Sequence, residues 1–297
     1  MHRDRLRSLN IEGANMTRIP RREFLRLAAA AVAVPAASRR SIAEAFPSRP
    51  ITIVVPFAAG GPNDAIGRYL AERMRGALGQ TVMIENATGA GGTIGVGRVA
   101  RAAPDGYTLS LGVWSTHVVN GAVYTLPYDL IRDFDPVALI SRELGMVLTA
   151  RNGMPEKDLR ELIAWLKSNP DRLSVGTAGV GSPPHIAAVL FRNLTGTRFQ
   201  MVHYRGTAPA AQDLMAGQID MLFDSQITSF PQLHAKTIKA YAVTAKSRLA
   251  SAPDIPTMDE AGLSGMYLAP WFGQTPLGAF LLRGEPTLGE GWTDPRC

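Results

Sequence analysis

The chain is almost without cysteine: one in 297 residues, Cys297, at the last position. That excludes a disulfide framework, a cysteine-ligated metal site and a catalytic thiol in the body of the protein. Histidine is scarce as well. His2, His117, His185, His203 and His234 stand apart, without the spacing of a metal motif. There is no His-Glu-x-x-His, no Gly-x-Ser-x-Gly and no Walker sequence ending in Gly-Lys-Ser/Thr. No apolar run reaches the roughly 20 residues needed to cross a bilayer. From these absences we expect no catalytic residue, no cofactor and no metal. What is plentiful is apolar content, at 46% against 19% charged residues, which excludes disorder for most of the chain.

The charge balance first suggests an acidic partner. Lys plus Arg is 31, Asp plus Glu is 25, the net charge is +6 and the pI is near 9.7. Residues 1–45, however, hold nine arginines and four acids, which leaves 22 basic and 21 acidic residues for the rest. The body is nearly neutral, so no nucleic-acid footprint is expected. Pro20-Arg21-Arg22-Glu23-Phe24-Leu25 resembles a twin-arginine export signal. The eleven apolar residues Leu27 to Ala37 and the small-x-small site Ala43-Glu44-Ala45 follow in the order of a leader. We expect residues 1–45 to be a signal peptide and the mature, periplasmic chain to begin at Phe46.

Beyond the leader, short apolar strands alternate with helical patterns. Ile51 to Val55 is a β-branched run of the kind buried on both faces of a sheet. A helical pattern over Ile66, Tyr69, Leu70, Met74 and Leu78 ends at Gly79. Strands are expected at Val82 to Ile84, Tyr107 to Leu111, Gly145 to Ala150, Leu173 to Gly176, Ile219 to Phe223 and Ile238 to Val243. Helices are expected at 93–102, from Pro155 as a first helical residue, and over 184–195 and 208–216. Strands separated by helices imply parallel sheets with helices on both faces. The pattern reads as two α/β domains: residues 46–147, then 148–267, with a return to the first over 268–273.

Three glycine- or hydroxyl-rich turns directly follow strands: Phe57 to Asp64, Trp114 to Asn120 and Thr177 to His185. In open α/β sheets, ligands bind at the carboxyl ends of strands. Helix-opening turns expose unpaired N–H groups and positive partial charge, which suit a carboxylate or phosphate. The turns over 57–63 and 176–185 hold no Lys or Arg, so amides and hydroxyls would carry such a site. The same glycines also serve simple tight βα connections. Gly95-x-Gly97-x-x-Ala100 fits a loose dinucleotide pattern, but it follows no strand directly, and close helix packing explains it better. Ser182 with His185 could be read as nucleophile and base; a hydroxyl cap and a first-turn residue is the simpler reading.

Eight motifs in register carry a resemblance. They include Val54-Val55-Pro56-Phe57-Ala58-Ala59-Gly60-Gly61-Pro62-Asn63-Asp64, Glu85-Asn86-x-x-Gly89-Ala90-Gly91-Gly92 and Pro104-Asp105-Gly106-Tyr107. Gly176-Thr177-Ala178-Gly179-x-Gly181-Ser182-Pro183-x-His185, Tyr204-Arg205-Gly206, Asp213-Leu214-Met215-x-Gly217-Gln218-x-Asp220, Asp254-Ile255-Pro256-Thr257 and Trp271-Phe272-Gly273 follow. Over about residues 46–273 the chain resembles Bug-type periplasmic solute-binding proteins of tripartite tricarboxylate transporters. The resemblance implies a type II periplasmic-binding fold with a cleft between two α/β domains, and a small carboxylate as ligand. It implies a monomer that delivers the ligand to integral membrane subunits. Carried onto this chain, it implies a first loop of Phe57, Ala58, Ala59, Gly60, Gly61, Asn63 and Asp64. The opposing loop is Thr177, Ala178, Gly179, Gly181, Ser182 and His185. Ser115, Thr116, His117 and Asn120 are added from the first domain, and Tyr204, Arg205, Gly206 and Asp224 from the second.

After Gly273 the sequence departs from that family. The segment from Gln274 to Cys297 is rich in Gly and Pro and lacks a helical period. We expect a shifted frame or a truncated gene near Gln274, with the last helices of the first domain missing. The alternative readings are an exported α/β hydrolase for a small ester or amide, a signalling receptor, and a degenerate copy that binds nothing.

Overall fold

The structure, a computed structural model, describes residues 46–138, 140–272 and 280–282. The expected leader with its small-x-small site, and the tail from Gly273 apart from Phe280–Leu282, lie outside the described residues. In chain order the strands are β1 (Ile51–Val55), β2 (Val82–Asn86), β3 (Thr108–Leu111), β4 (Asp135–Pro136), β5 (Ser141–Arg142) and β6 (Val147–Arg151). They continue as β7 (Ser174–Thr177), β8 (Gln200–His203), β9 (Met221–Asp224), β10 (Ile238–Val243), β11 (Trp271–Phe272) and β12 (Phe280–Leu282). The α-helices are α1 (Pro62–Leu78), α2 (Thr93–Ala100), α3 (Asn120–Val123), α4 (Leu159–Ser168), α5 (Pro183–Thr195), α6 (Thr207–Met215) and α7 (Gln226–His234).

Two five-stranded sheets form two lobes of the fold. The first runs β2-β1-β3-β12-β4 and the second β10-β6-β9-β7-β8. Within the first, β1 lies parallel to β2 and β3, and Ile51, Ile53, Val54 and Val55 are all buried, as a strand covered on both faces requires. Helix α1 opens on Pro62, whose missing N–H costs nothing there, and stops at Gly79, which takes φ 67 and donates to Arg75 O at 3.0 Å. The second lobe packs Leu159, Leu162 and Leu166 of α4 with Phe191, Met221 and Phe223. Each such side chain contributes about 1.5–3 kcal/mol by leaving water.

Three expectations need correction. The sheets are mixed, not parallel: β6 runs antiparallel to both β9 and β10, and β12 antiparallel to β3 and β4. Both β6 and β12 follow a crossing between the two sheets, so no βα unit fixes their direction. Helix α4 begins at Leu159, not at Pro155, because Asp158 caps it, accepting from Glu161 N at 2.9 Å, while Glu161 reaches back to Lys157 N at 2.8 Å. Helix α7 was not expected; its internal Pro231 hides the period.

The chain crosses between the sheets twice, and the two crossings pair. Strands β5 and β11 form an antiparallel ribbon, Ser141 opposite Phe272 and Arg142 opposite Trp271, extended by Glu143 N donating to Pro270 O at 2.9 Å. No helix among the described residues is long and apolar enough to cross a membrane.

Candidate functional site

The loop after β1 is held from below. Asp64 is buried at the start of α1; one carboxylate oxygen accepts from Gly60 N at 2.9 Å and Arg68 at 2.8 Å, the other from Asn86 at 3.1 Å. Burial pulls its pKa up, but the hydrogen bonds from Arg68, Gly60 and Asn86 outweigh that and leave it below the usual range. Asn86 also donates to Phe57 O at 3.0 Å, so the Glu85-Asn86 motif braces the Phe57–Gly61 loop. Gly61 is the N-cap and makes no side-chain cap. The amides of Asn63 and Asp64, in the first turn of α1, have no intrahelical acceptors.

Loops of the second lobe meet this one. Ala58 N donates to Arg205 O at 3.1 Å, and Tyr124 hydroxyl donates to Val180 O at 2.9 Å. A methyl on Gly206 would lie 2.8 Å from Ala58 N, and one on Gly91 2.4 Å from Val180 O. The approach is a backbone-to-backbone one that only glycine permits. Between the lobes lies a cavity of about 30 Å³, lined from the first side by Phe57, Pro62 and Asn63 and from the second by Ala178, Pro183, Pro184 and Thr207. Glu143, Met146, Ser225 and Pro270 close it near the crossing ribbon. Four helices, α1, α5, α6 and α7, thus begin at its wall. The α5 terminus is poorer in donors than the sequence suggested, because Pro183 and Pro184 carry no N–H.

Of the expected residues, Phe57, Asn63 and Ala178 line this cavity. Gly60 and Gly61 face the start of α6, with methyls there 3.5 Å from Ala208 Cβ and 3.2 Å from Thr207 Oγ1, and Ala59 is exposed. Thr177 contacts His203 Nδ1 at 2.6 Å, Tyr204 hydroxyl donates to Asp213 at 2.6 Å, and Arg205 is exposed. Tyr204 is pushed up to about 12 by burial and by that carboxylate.

The helical turn Ser115–Val119 lies in the first lobe, directly before α3. His117 is buried edge-on to Phe134, contacts Thr116 Oγ1 at 2.8 Å, and is pushed down to about 4 by burial, so it stays neutral. Asn120 donates to Gly91 O at 2.9 Å, while its own oxygen, beside Gly181, is buried without a partner among the described residues. Ser115 Oγ is likewise buried and unpartnered. Ser182 occupies the N-cap of α5 but does not cap it; its hydroxyl donates to Gly179 O at 2.6 Å, and His185 Nδ1 accepts from Gly181 N at 3.3 Å. Among the described residues, no hydrogen bond joins Ser182 to His185. Gly95 and Gly97 serve packing, a methyl there meeting Ala87 O at 2.7 Å and the Tyr128 ring at 3.0 Å.

Asp224, at the end of β9, is buried; one oxygen accepts from Ser225 N at 2.8 Å and Thr228 at 2.7 Å, and the other has no partner among the described residues. Ser225 caps α7 by accepting from Ile227 N at 3.1 Å and donates to Glu143 Oε1. Burial raises Glu143 to about 8, Asp224 adding to the shift, and burial raises Asp224 to about 6. Among the described residues, no group of His, Cys, Asp and Glu is arranged to hold a metal ion.

The model of the tripartite tricarboxylate transporter family receptor matches residues 66–278. The chain belongs to this family. BugT of Bordetella pertussis is 32% identical, over 87% of this chain and 78% of its own. MatC from Rhodopseudomonas palustris, solved with bound malate, is 41% identical at a TM-score of 0.75, covering 81% of this chain and 80% of MatC. A second R. palustris protein, solved with adipate, is 35% identical at 0.77, covering 82% and 79%. The chain spans 66% to 78% of the length of three curated relatives that it matches. The Bug-type resemblance and the two-lobed α/β periplasmic-binding fold hold.

Within this receptor family member, several cavity residues went unread in the sequence: Glu143, Met146, Thr207, Ser225 and Pro270. Thr207 and Ser225 had a legible signal, a small hydroxyl residue at the opening of a helix. Glu143 had none; it lies on an irregular crossing, where no period tells inside from outside.

Proposed function

We propose that the protein is a periplasmic solute receptor that closes its two lobes on a small carboxylate and presents it to the membrane subunits of a tripartite transporter. One observation carries this reading: helices α1, α5 and α6 open from opposite lobes onto one cavity whose lining, among the described residues, contains no Lys or Arg. Amides without intrahelical acceptors, helix-end partial charge and Asn63 Nδ2, buried without a partner among the described residues, suit an anion there. The malate and adipate held by its relatives are the ligand chemistry that supports it. The role is capture, not turnover, since the Ser182 hydroxyl is committed to Gly179 O. Loops Phe57–Asp64, Thr177–His185 and Tyr204–Gly206 form the rim, with Asn120 between them. A thermal-shift screen of carboxylic acids tests it. A ligand at 100 times its Kd stabilises by about 2.7 kcal/mol; no shift from any acid, in protein that unfolds cooperatively, would reject the reading.

A further inference from the structure

Glu143 stands where the first crossing enters the second lobe, and its surroundings divide in two. On one side the crossings are tied to that lobe. Gln226 Nε2 donates to Gly145 O at 3.0 Å, Met146 N to Thr244 Oγ1 at 2.8 Å, and Thr244 Oγ1 to Leu268 O at 2.5 Å. Glu143 N donates to Pro270 O at 2.9 Å, and Glu143 Oε1 takes the Ser225 hydroxyl at the N-cap of α7. Residues 143–146 and 268–270 are thus anchored to the second lobe. On the other side is the cavity, whose facing wall, Phe57, Pro62 and Asn63, belongs to the first lobe. Glu143 lines it at 8% exposure, with Oε2 buried and unpartnered among the described residues. Lobes that part would keep the Ser225 contact and put water where Phe57 and Pro62 stood. The carboxyl then meets two environments, and its charged form is costly in only the dry one.

We propose that closure of the lobes is coupled to the uptake of a proton by Glu143: the closed cleft holds the carboxyl neutral, and the parted cleft wets it and releases the proton. The inference rests on the capture reading above and adds a regulation to it. Asp224, buried at the end of β9 and outside the cavity lining, is the charged group that acts on Glu143 from the second lobe. Among the described residues, the rest of the lining brings no titratable side chain from either lobe. Burial raises Glu143 to about 8 in the closed cleft, Asp224 adding to the shift and the Ser225 hydroxyl opposing it. A wetted glutamate titrates at about 4.3. Between those values the closed form binds more protons than the open one, so closure weakens as pH rises toward 8.

The test is calorimetry on the full chain, with malate and adipate as probes, in buffers of low and high ionisation enthalpy so that the heat counts protons. At pH 7, binding should take up about one proton, and affinity should fall about five- to tenfold per unit from pH 6 to pH 8. Glu143→Gln keeps an oxygen for the Ser225 hydroxyl and is neutral at every pH. It should take up no proton, lose the slope, and bind more tightly than the wild type at pH 8. Wild-type binding without proton uptake, or uptake undiminished in Glu143→Gln, overturns the inference and leaves the receptor reading standing. If neither acid binds, small-angle scattering of the ligand-free protein decides. The radius of gyration should fall from pH 8 to pH 6 in the wild type and hold one value in Glu143→Gln; a wild-type radius independent of pH overturns the inference. Failure of every acid in the thermal-shift screen rejects the receptor reading alone.

Discussion

Glu143 and Asp224 are buried acids without a cation, and each costs stability when ionised. Their folded-state pKa values, about 8 and about 6, lie above those of exposed carboxyls. The folded protein therefore binds more protons than the unfolded chain, and stability falls as pH rises through that window. With the cleft closed as described, the protein should gain stability on going from pH 8 to pH 5, by at most about 1.4 kcal/mol per pH unit per group. Glu143→Gln should be more stable than wild type at pH 8 and should lose most of the gain between pH 8 and pH 6, by calorimetric melting. A flat profile in both would mean that Glu143 is solvated. At this scale the sequence was only partly legible. Phe57, Asn63 and Ala178 sit on regular βα junctions, where position in the motif places them at the cavity. Glu143 depends on the tertiary crossing of the chain, and His117 and Thr177 are occupied by neighbours, Thr116 and His203, that no local pattern announces.

The elements themselves were legible because their signals are local. Ile51–Val55, Val82–Ile84 and Ile238–Val243 are largely apolar runs, and α1 carries its glycine stop. What escaped was set by partners distant in sequence: the antiparallel direction of β6 and β12, and the pairing of β5 with β11. Residues in several family motifs also hold elements together. Asp220 ties Ser174 N at 2.8 Å and Arg151 at 2.8 Å, and Glu260 accepts from Thr257 N at 2.8 Å. Two junctions separate holding from binding. Asp158→Ala removes the cap of α4, far from the cavity; it should cost about 1 kcal/mol of stability and leave ligand affinity unchanged. Asp64→Ala frees Gly60 N, Arg68 and Asn86 together. It should lower stability by about 1–3 kcal/mol and, by loosening the Phe57–Gly61 loop, weaken binding about tenfold. Equal effects of both substitutions on affinity would show that the loop is not part of the site.

On the scale of the whole molecule, the cavity between the lobes is too small for the carboxylate ligand proposed above. The cavity of about 30 Å³ compares with roughly 300–1,000 Å³ for small-molecule sites. On the proposed reading, binding requires the lobes to part and close again, with the paired crossings β5 and β11, and Glu143 beside them, as the place to bend. Closure depends on backbone contact across the cleft, Ala58 N to Arg205 O at 3.1 Å, with no room for a side chain at Gly206. A Gly206→Ala methyl would sit 2.8 Å from Ala58 N and 2.9 Å from Ala58 Cβ, both on the other lobe. Gly206 has φ 164, ordinary extended backbone, so the substitution strains neither the helix it caps nor its lobe. It acts only on the closed state. Ligand affinity should therefore fall more than tenfold, because the binding-competent form becomes a minor one. The Tm of the ligand-free protein should move by only a degree or two if the open form is the resting one, and the ligand-induced drop in radius of gyration by small-angle scattering should disappear. Tyr124→Phe, which removes one exposed cross-cleft hydrogen bond to Val180 O, should shift the same equilibrium more gently, by about two- to tenfold in affinity. If Gly206→Ala bound and compacted like the wild type, the lobes would not need this contact, and ligand capture would have to proceed in a cleft more open than the one described.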